Sequence, residues 1–114
     1  MATITPTITN PGPGLYLATW SGIATGDTIT PTTVSSVHGI ASTVQFEGTF
    51  GGATVTLEAS NDEANYHAVK DLSAIEISAT TAGMYEITSG ALSFAPTISG
   101  GTGDSVTVTL TLRQ

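Results

Sequence analysis

The chain has 114 residues, which is enough for one domain with its own core but too few for two independent domains. Charged residues make up only 10% of it, and nine acids against two basic residues give a formal net charge of −7, which disfavours binding to nucleic acid or to an anionic membrane surface. Because the chain has no cysteine, disulfides, thiol nucleophiles and thiolate metal sites are excluded.

Two further signals are missing from the sequence. No apolar run approaches the ~20 residues needed to span a bilayer. The first six residues lack the basic start and continuous apolar stretch of a secretory signal peptide. We therefore expect a soluble protein that is synthesised in the cytoplasm and does not associate with membranes.

The start of the chain, residues 1–14, is predicted to be an extended N-terminal arm. Its three prolines fix φ and remove backbone donors, so a helix or a central strand is excluded. The alternation of Ile4 and Ile8 with threonine permits strand pairing. Such an arm spans roughly 45 Å at about 3.3 Å per residue, enough to lie along a neighbouring subunit. The alternative is a disordered tail.

Residues 15–114 are predicted to form an antiparallel β-sandwich, jelly-roll-like or Ig-like, of about eight short strands. Short apolar alternations recur between Gly, Pro, Asn and Asp residues, which is typical of all-β sandwiches and barrels. The final alternation is the clearest, because apolar and threonine residues occupy opposite faces. The predicted strands are Leu15–Trp20, Ala41–Glu47, Ala53–Ser60, Tyr66–Val69, a strand around Ile75 and Ile77, Met84–Thr88, Leu92–Ile98 and Ser105–Leu112.

Two glycine-rich turns are predicted to close β-hairpins. Gly51–Gly52 separates two alternating strands, and Gly100–Gly103 precedes the last strand. The second turn superficially resembles a phosphate-binding loop, but it opens a strand rather than a helix and lacks the lysine of that motif. A third turn, Asn61–Asn65, is rich in side chains that bond their own backbone.

Several of these segments resemble a group of small bacteriophage and prophage structural proteins. The resemblance covers roughly residues 15–114 and implies a β-sandwich virion component, similar to capsid decoration or cement proteins. It further implies that the chain binds between subunits of the major capsid protein on the capsid exterior, as a homo-oligomer (dimer or trimer), and is not an enzyme. The similar segments are Trp20–Gly22, Thr25–Asp27, the strand around Val44, Thr49–Asp62, Ile98–Gly103 and Val106–Leu110.

The chain departs from the pattern of that group at two places. Tyr66 stands where a tryptophan is expected after the Asn-Asp turn, and Leu92–Ala95 replaces a basic run before Pro96. The second difference removes a positive charge. Together with the acidic net charge, it leads us to expect a basic patch on the partner.

No catalytic, cofactor or metal site is predicted. The imidazoles of His38 and His67 lack the convergent, fixed spacing that a zinc site or a general base requires, and Ser35–Ser36 lacks the glycines of a nucleophile elbow. The acids Asp62–Glu63 and Asp104 lie beside turns and are interpreted as turn caps rather than calcium ligands. A hydrolase would need a nucleophile, a base and an orienting group, none of which is recognisable.

The aromatic residues leave an alternative function open. Trp20 lies in an alternating strand and is predicted to be in the core, whereas for Tyr66 core packing and sugar stacking are equally favoured. A tail- or fibre-associated module that binds host glycan is therefore the alternative to a decoration protein. The candidate partner-contact residues are Ile4, Ile8, Asp62 and Tyr66.

Overall fold

The computed structural model describes residues 2–33 and 40–113. In these ranges the chain forms strands and no helix, which confirms the predicted all-β class, and no helix is long and apolar enough to cross a membrane. The predictions for Ser35, Ser36 and His38 lie outside the described residues. The strands are β1 (Thr3–Ile4), β2 (Thr7–Gly12), β3 (Leu15–Ile23), β4 (Thr28–Ile29), β5 (Thr32–Thr33), β6 (Ile40–Thr49), β7 (Thr54–Ser60), β8 (His67–Ala68), β9 (Ser78–Ala79), β10 (Gly83–Ser89), β11 (Ser93–Ser99) and β12 (Ser105–Arg113).

Two sheets pack face to face, as predicted for a sandwich. Sheet 1 has the order β10-β6-β12-β3-β2, and sheet 2 has the order β5-β11-β7-β8, with β9 also paired to β7. All pairings in these two sheets are antiparallel, whereas β1 and β4 form a small parallel pair. The described chain has more strands than the sequence predicts because several are only two residues long, too short to show an alternation.

The core lies between the sheets and follows the period-two pattern of the sequence. All four apolar side chains of β12 (Val106, Val108, Leu110 and Leu112) are fully buried. Burial of each contributes roughly 1.5 to 3 kcal/mol, as an upper estimate. Trp20 is also fully buried, and its indole Nε1 donates a hydrogen bond to the carbonyl oxygen of Thr30 at 2.8 Å. The predicted core position of Trp20 is therefore confirmed.

The prediction that the two glycine-rich turns close β-hairpins is wrong. The Gly51–Gly52 turn joins β6 in sheet 1 to β7 in sheet 2, and Gly100–Gly103 joins β11 in sheet 2 to β12 in sheet 1. Each turn therefore carries the chain across the sandwich instead of pairing consecutive strands. The two crossings meet at one end of the fold, where the amide of Thr102 donates to the carbonyl oxygen of Gly51 at 3.0 Å.

One edge of sheet 2 is divided between two short strands. Both β8 and β9 pair with β7, and the chain between them leaves the sheet as a loop in which Lys70 and Glu76 form an antiparallel bridge. The strand predicted around Ile75 and Ile77 is misplaced, since the observed strand begins at Ser78. Ile77 is buried, but Ile75 lies in the exposed loop. The alternation of these two isoleucines therefore does not mark a strand.

Residues 2–14, which the sequence assigns to an arm, lie along the same domain. Strand β2 pairs with β3 and forms one edge of sheet 1, and β1 pairs with β4. Five of the six residues of β2 are exposed. The edge position accommodates Pro11, which has no backbone donor for a second neighbouring strand.

Candidate interaction surfaces

A groove beside Tyr66 lies on the outer side of sheet 2. Its volume is about 320 Å³, and its lining includes Asp27, Ile29, Pro31, Glu58, Tyr66 and Thr97. Glu58 and Thr97 belong to β7 and β11, whereas residues 27–31 come from the segment that contains β4. The groove thus combines an aromatic ring and apolar side chains with carboxylate and hydroxyl oxygens.

The Tyr66 ring is held in place by a chain of hydrogen bonds. The fully buried Ser93 donates its hydroxyl proton to the carbonyl oxygen of Thr32 at 3.1 Å. Since that proton is engaged, the contact of 2.9 Å between the Tyr66 hydroxyl and Ser93 Oγ has Tyr66 as donor. Tyr66 is half-buried, so part of its side chain remains accessible at the groove.

The carboxylate of Asp27 at the other side of the groove also has defined partners. Its Oδ1 accepts a hydrogen bond from the backbone amide of Ala2, and its Oδ2 accepts one from the amide of Ala24, both at 3.0 Å. Asp27 therefore fixes the N-terminal segment to the turn before β4. These two bonds position the Asp27 carboxylate at the side of the groove.

Asp62 is a turn cap, as the sequence suggests. Its Oδ1 accepts hydrogen bonds from the Ser60 hydroxyl and from the amides of Ala64 and Asn65, and its Oδ2 accepts one from the Asn65 side chain. These bonds, led by that from the Asn65 amide, hold the pKa of Asp62 well below its usual range. Both oxygens are occupied within the turn.

Asp104, at the opposite end of the fold, caps a turn that is distant in sequence. Its Oδ2 accepts hydrogen bonds from the Thr25 hydroxyl at 2.7 Å and from the Thr25 amide at 3.0 Å. The hydroxyl contact is the main reason why the pKa of Asp104 is lowered. Thr25 Oγ1 in turn accepts from the amide of Gly101. The carboxylate therefore joins the β3–β4 turn to the crossing before β12.

The remaining predicted residues lie apart from one another. Ile4 is half-buried and packs against the core, and Ile8 is 41% exposed on β2. His67 is exposed on β8, and across residues 2–33 and 40–113 no group of three or more His, Asp or Glu side chains could hold a metal ion. The candidate contact residues thus do not form one site.

Sequence reasoning missed three of the most exposed apolar side chains. Leu72 is 66% exposed, Ile75 63% and Met84 60%. Leu72 and Met84 line the same shallow depression, although they are separated by a change of sheet. Leu72 belongs to no sequence motif, and the sequence predicts Met84 only as a strand residue. An apolar residue in a polar turn is the one sequence signal that could have pointed to Leu72.

The fold therefore defines the class of the protein as a two-sheet antiparallel β-sandwich. No family model and no curated protein matches the chain. Among solved structures it is similar to the SPBc2 prophage-derived protein YomS, with 14% sequence identity, a TM-score of 0.60 and coverage of 88% of this chain and 95% of that one. A similarity to protein NMB1881 from Neisseria meningitidis has 11% identity, a TM-score of 0.40 and coverage of 96% and 82%. The similarity to YomS shows the fold of the chain. The similarity to NMB1881 has too low a TM-score to support a conclusion.

Proposed function

We propose that the chain is a structural virion protein of a tailed bacteriophage, and specifically a capsid decoration or cement protein. The observation that carries the proposal is the shared fold with a prophage-derived protein over 88% of the chain. In this function the chain is made in the host cytoplasm and binds the capsid exterior between subunits of the major capsid protein. The chain reinforces the shell through the surface that it buries against neighbouring subunits.

Open sheet edges support this function. In the part of the chain that the structure describes, β2 and β10 each have one paired neighbour and form the two edges of sheet 1. Unpaired backbone groups at an edge are available for strand addition by another protein or by a second copy. Strand β2 presents Ile8 beside such an edge. We propose that β2 contributes to homo-oligomer or capsid contacts.

The location of the protein on the particle is the most direct test. Mass spectrometry of heads and tails purified separately from the phage should find the chain in the heads, at a copy number that follows the shell symmetry. Detection in tails alone would overturn the decoration role. Deleting residues 2–14, or replacing Ile8 by Asp, should lower capsid occupancy. Unchanged occupancy for both variants would contradict a role for β2.

A glycan-binding module of the tail or fibre is the second candidate, and the groove beside Tyr66 favours it. An accessible aromatic ring next to the carboxylates of Asp27 and Glu58 offers both a stacking face and hydrogen-bond acceptors for a sugar. A glycan array tests this function. Tyr66→Ala should remove a signal that Tyr66→Phe largely retains, because Phe keeps the ring and loses only the hydroxyl bonded to Ser93.

A further inference from the structure

The loop of residues 70–76, here called the Leu72 loop, is a hairpin closed by hydrogen bonds beside the edge of sheet 2. The Asp71 amide donates to the carbonyl oxygen of Ile75 at 2.8 Å. Asp71 Oδ1 accepts from the amides of Ser73 at 2.8 Å and of Ile75 at 3.1 Å. With the Lys70–Glu76 bridge at its base, the loop has its own hydrogen-bond framework.

The tip of the loop contains a strained residue. Ala74 has a φ of 63°, in the left-handed region that is unfavourable for a residue with a Cβ atom. Its amide donates to the carbonyl oxygen of Asp71 at 3.0 Å, which closes the turn. The framework around Asp71 therefore imposes a conformation that alanine does not favour. Strain of this kind is concentrated at functional sites.

Two apolar side chains of this loop, Leu72 and Ile75, are exposed to solvent. Leu72 and Ile75 are 66% and 63% exposed, and Met84 on the neighbouring edge strand β10 is 60% exposed. Leu72, Met84, Tyr85 and Glu86 line a depression of about 220 Å³ between the loop and β10. Ile75 does not line this depression but belongs to the same loop. We call the exposed side chains of Leu72, Ile75 and Met84 the Leu72 patch. Because the backbone of the loop is already closed by its own hydrogen bonds, a partner that covers these apolar side chains has less backbone to order.

The charges around the patch favour one kind of partner. The loop and the depression carry three acidic residues, Asp71, Glu76 and Glu86, against the single basic residue Lys70. A second copy seated on this surface in an isologous contact would bring the same acids together, and each copy has a net charge of −7. A partner with lysine or arginine around an apolar pocket avoids that repulsion.

We propose that the Leu72 patch is the surface by which the chain binds an apolar pocket rimmed by basic residues on the capsid shell subunit. This assignment rests on the proposed function. It specifies the contact as apolar side chains from the Leu72 loop and β10, with Glu76 and Glu86 facing the basic rim. Met84 lies on β10, at the edge of sheet 1 opposite β2, so the patch is separate from the β2 edge proposed for oligomer or capsid contacts.

The test uses the full chain and capsids assembled from the major capsid protein, with bound protein measured after sedimentation. The double variant Leu72→Ser/Ile75→Ser should bind at least about tenfold more weakly, as expected for central interface residues. Ile40→Ser is the control for loss of an exposed apolar side chain, because Ile40 is 50% exposed but lies outside the patch. Circular dichroism and thermal unfolding check that each variant is folded.

A charge reversal tests the partner chemistry independently. Glu86→Lys should weaken binding and reduce its salt dependence, whereas Glu63→Lys, the same change at an exposed position outside the patch, should not. If the wild-type chain binds and the patch variants bind equally well, the patch assignment is overturned while the proposed function stands. If the wild-type chain does not bind capsids, both are overturned. If the patch variants instead abolish self-association in sedimentation velocity, the occupant is a second copy and the basic-partner assignment fails.

Discussion

Replacing Gly51 by alanine tests how the two sheets are joined. Gly51 has a φ of 55°, and a Cβ atom added to it would collide with the carbonyl oxygen of Thr102 in the other crossing. The left-handed conformation alone costs an alanine about 1–2 kcal/mol. Moving the backbone of Thr102, which also donates to Gly51, adds about 1–3 kcal/mol. We therefore expect Gly51→Ala to lower the free energy of unfolding by about 2–5 kcal/mol.

Gly52 provides a matched control in the same turn. Its φ of 84° is equally left-handed, but the nearest atom to an added Cβ is the Gly100 carbonyl oxygen at 3.9 Å, an ordinary contact. Gly52→Ala should therefore cost only the conformational term of about 1–2 kcal/mol. Urea unfolding followed by the fluorescence of the single tryptophan, Trp20, measures both variants. If both variants lose the same free energy of unfolding and their m values are unchanged, the expected collision between an added Cβ at Gly51 and Thr102 is refuted.

Three further predictions concern stability. Trp20→Ala should lower the free energy of unfolding by about 3–5 kcal/mol, measured by urea unfolding with circular dichroism, because a buried indole and its bond to Thr30 are lost. Ala74→Gly should raise that free energy by up to about 1 kcal/mol, because relief of left-handed strain exceeds the added entropy of the unfolded chain; a loss would show that Ala74 is not strained. The lowered pKa of Asp104 stabilises the fold above the unfolded-state value near 3.9 and ceases to do so as pH falls through the folded-state value. The difference in free energy of unfolding between the wild type and Asp104→Asn should thus be constant from pH 5 to 7 and become smaller towards pH 2. A difference that does not change with pH would contradict this prediction.

The sequence predicts which strand residues face the core, because successive side chains of a strand point to opposite faces of the sheet. In β12 the alternation predicts four inward residues, and all four are fully buried. The predicted strand Ser105–Leu112 differs from the observed Ser105–Arg113 by one residue. The turn-capping role of Asp62 was also predictable, because an Asx side chain bonds amides two and three residues further on, which is a local interaction.

Strand pairing could not be predicted in the same way. A glycine pair between two alternating strands is compatible with a hairpin and with a crossing to the facing sheet, since the apolar residues point inward in both cases. The choice depends on long-range neighbours: β6 pairs with β12 and β10, and β7 with β11. Likewise, the Leu72 patch brings together a loop attached to sheet 2 and the edge strand of sheet 1. No pattern within either segment indicates that they meet.

The distribution of these features separates stability from binding. The hydrogen bonds that join the turns and crossings, from Gly51–Thr102 to Thr25–Asp104, lie at the end of the sandwich where the chain passes between the sheets. The exposed apolar side chains of the Leu72 patch lie on its flank, and their loop is braced by its own residue Asp71 rather than by the core. Substitutions in the patch should therefore change binding with little effect on unfolding, and those at the crossings should do the reverse. In the proposed function this separation is favourable, because the partner then meets a surface whose geometry does not depend on the contact itself.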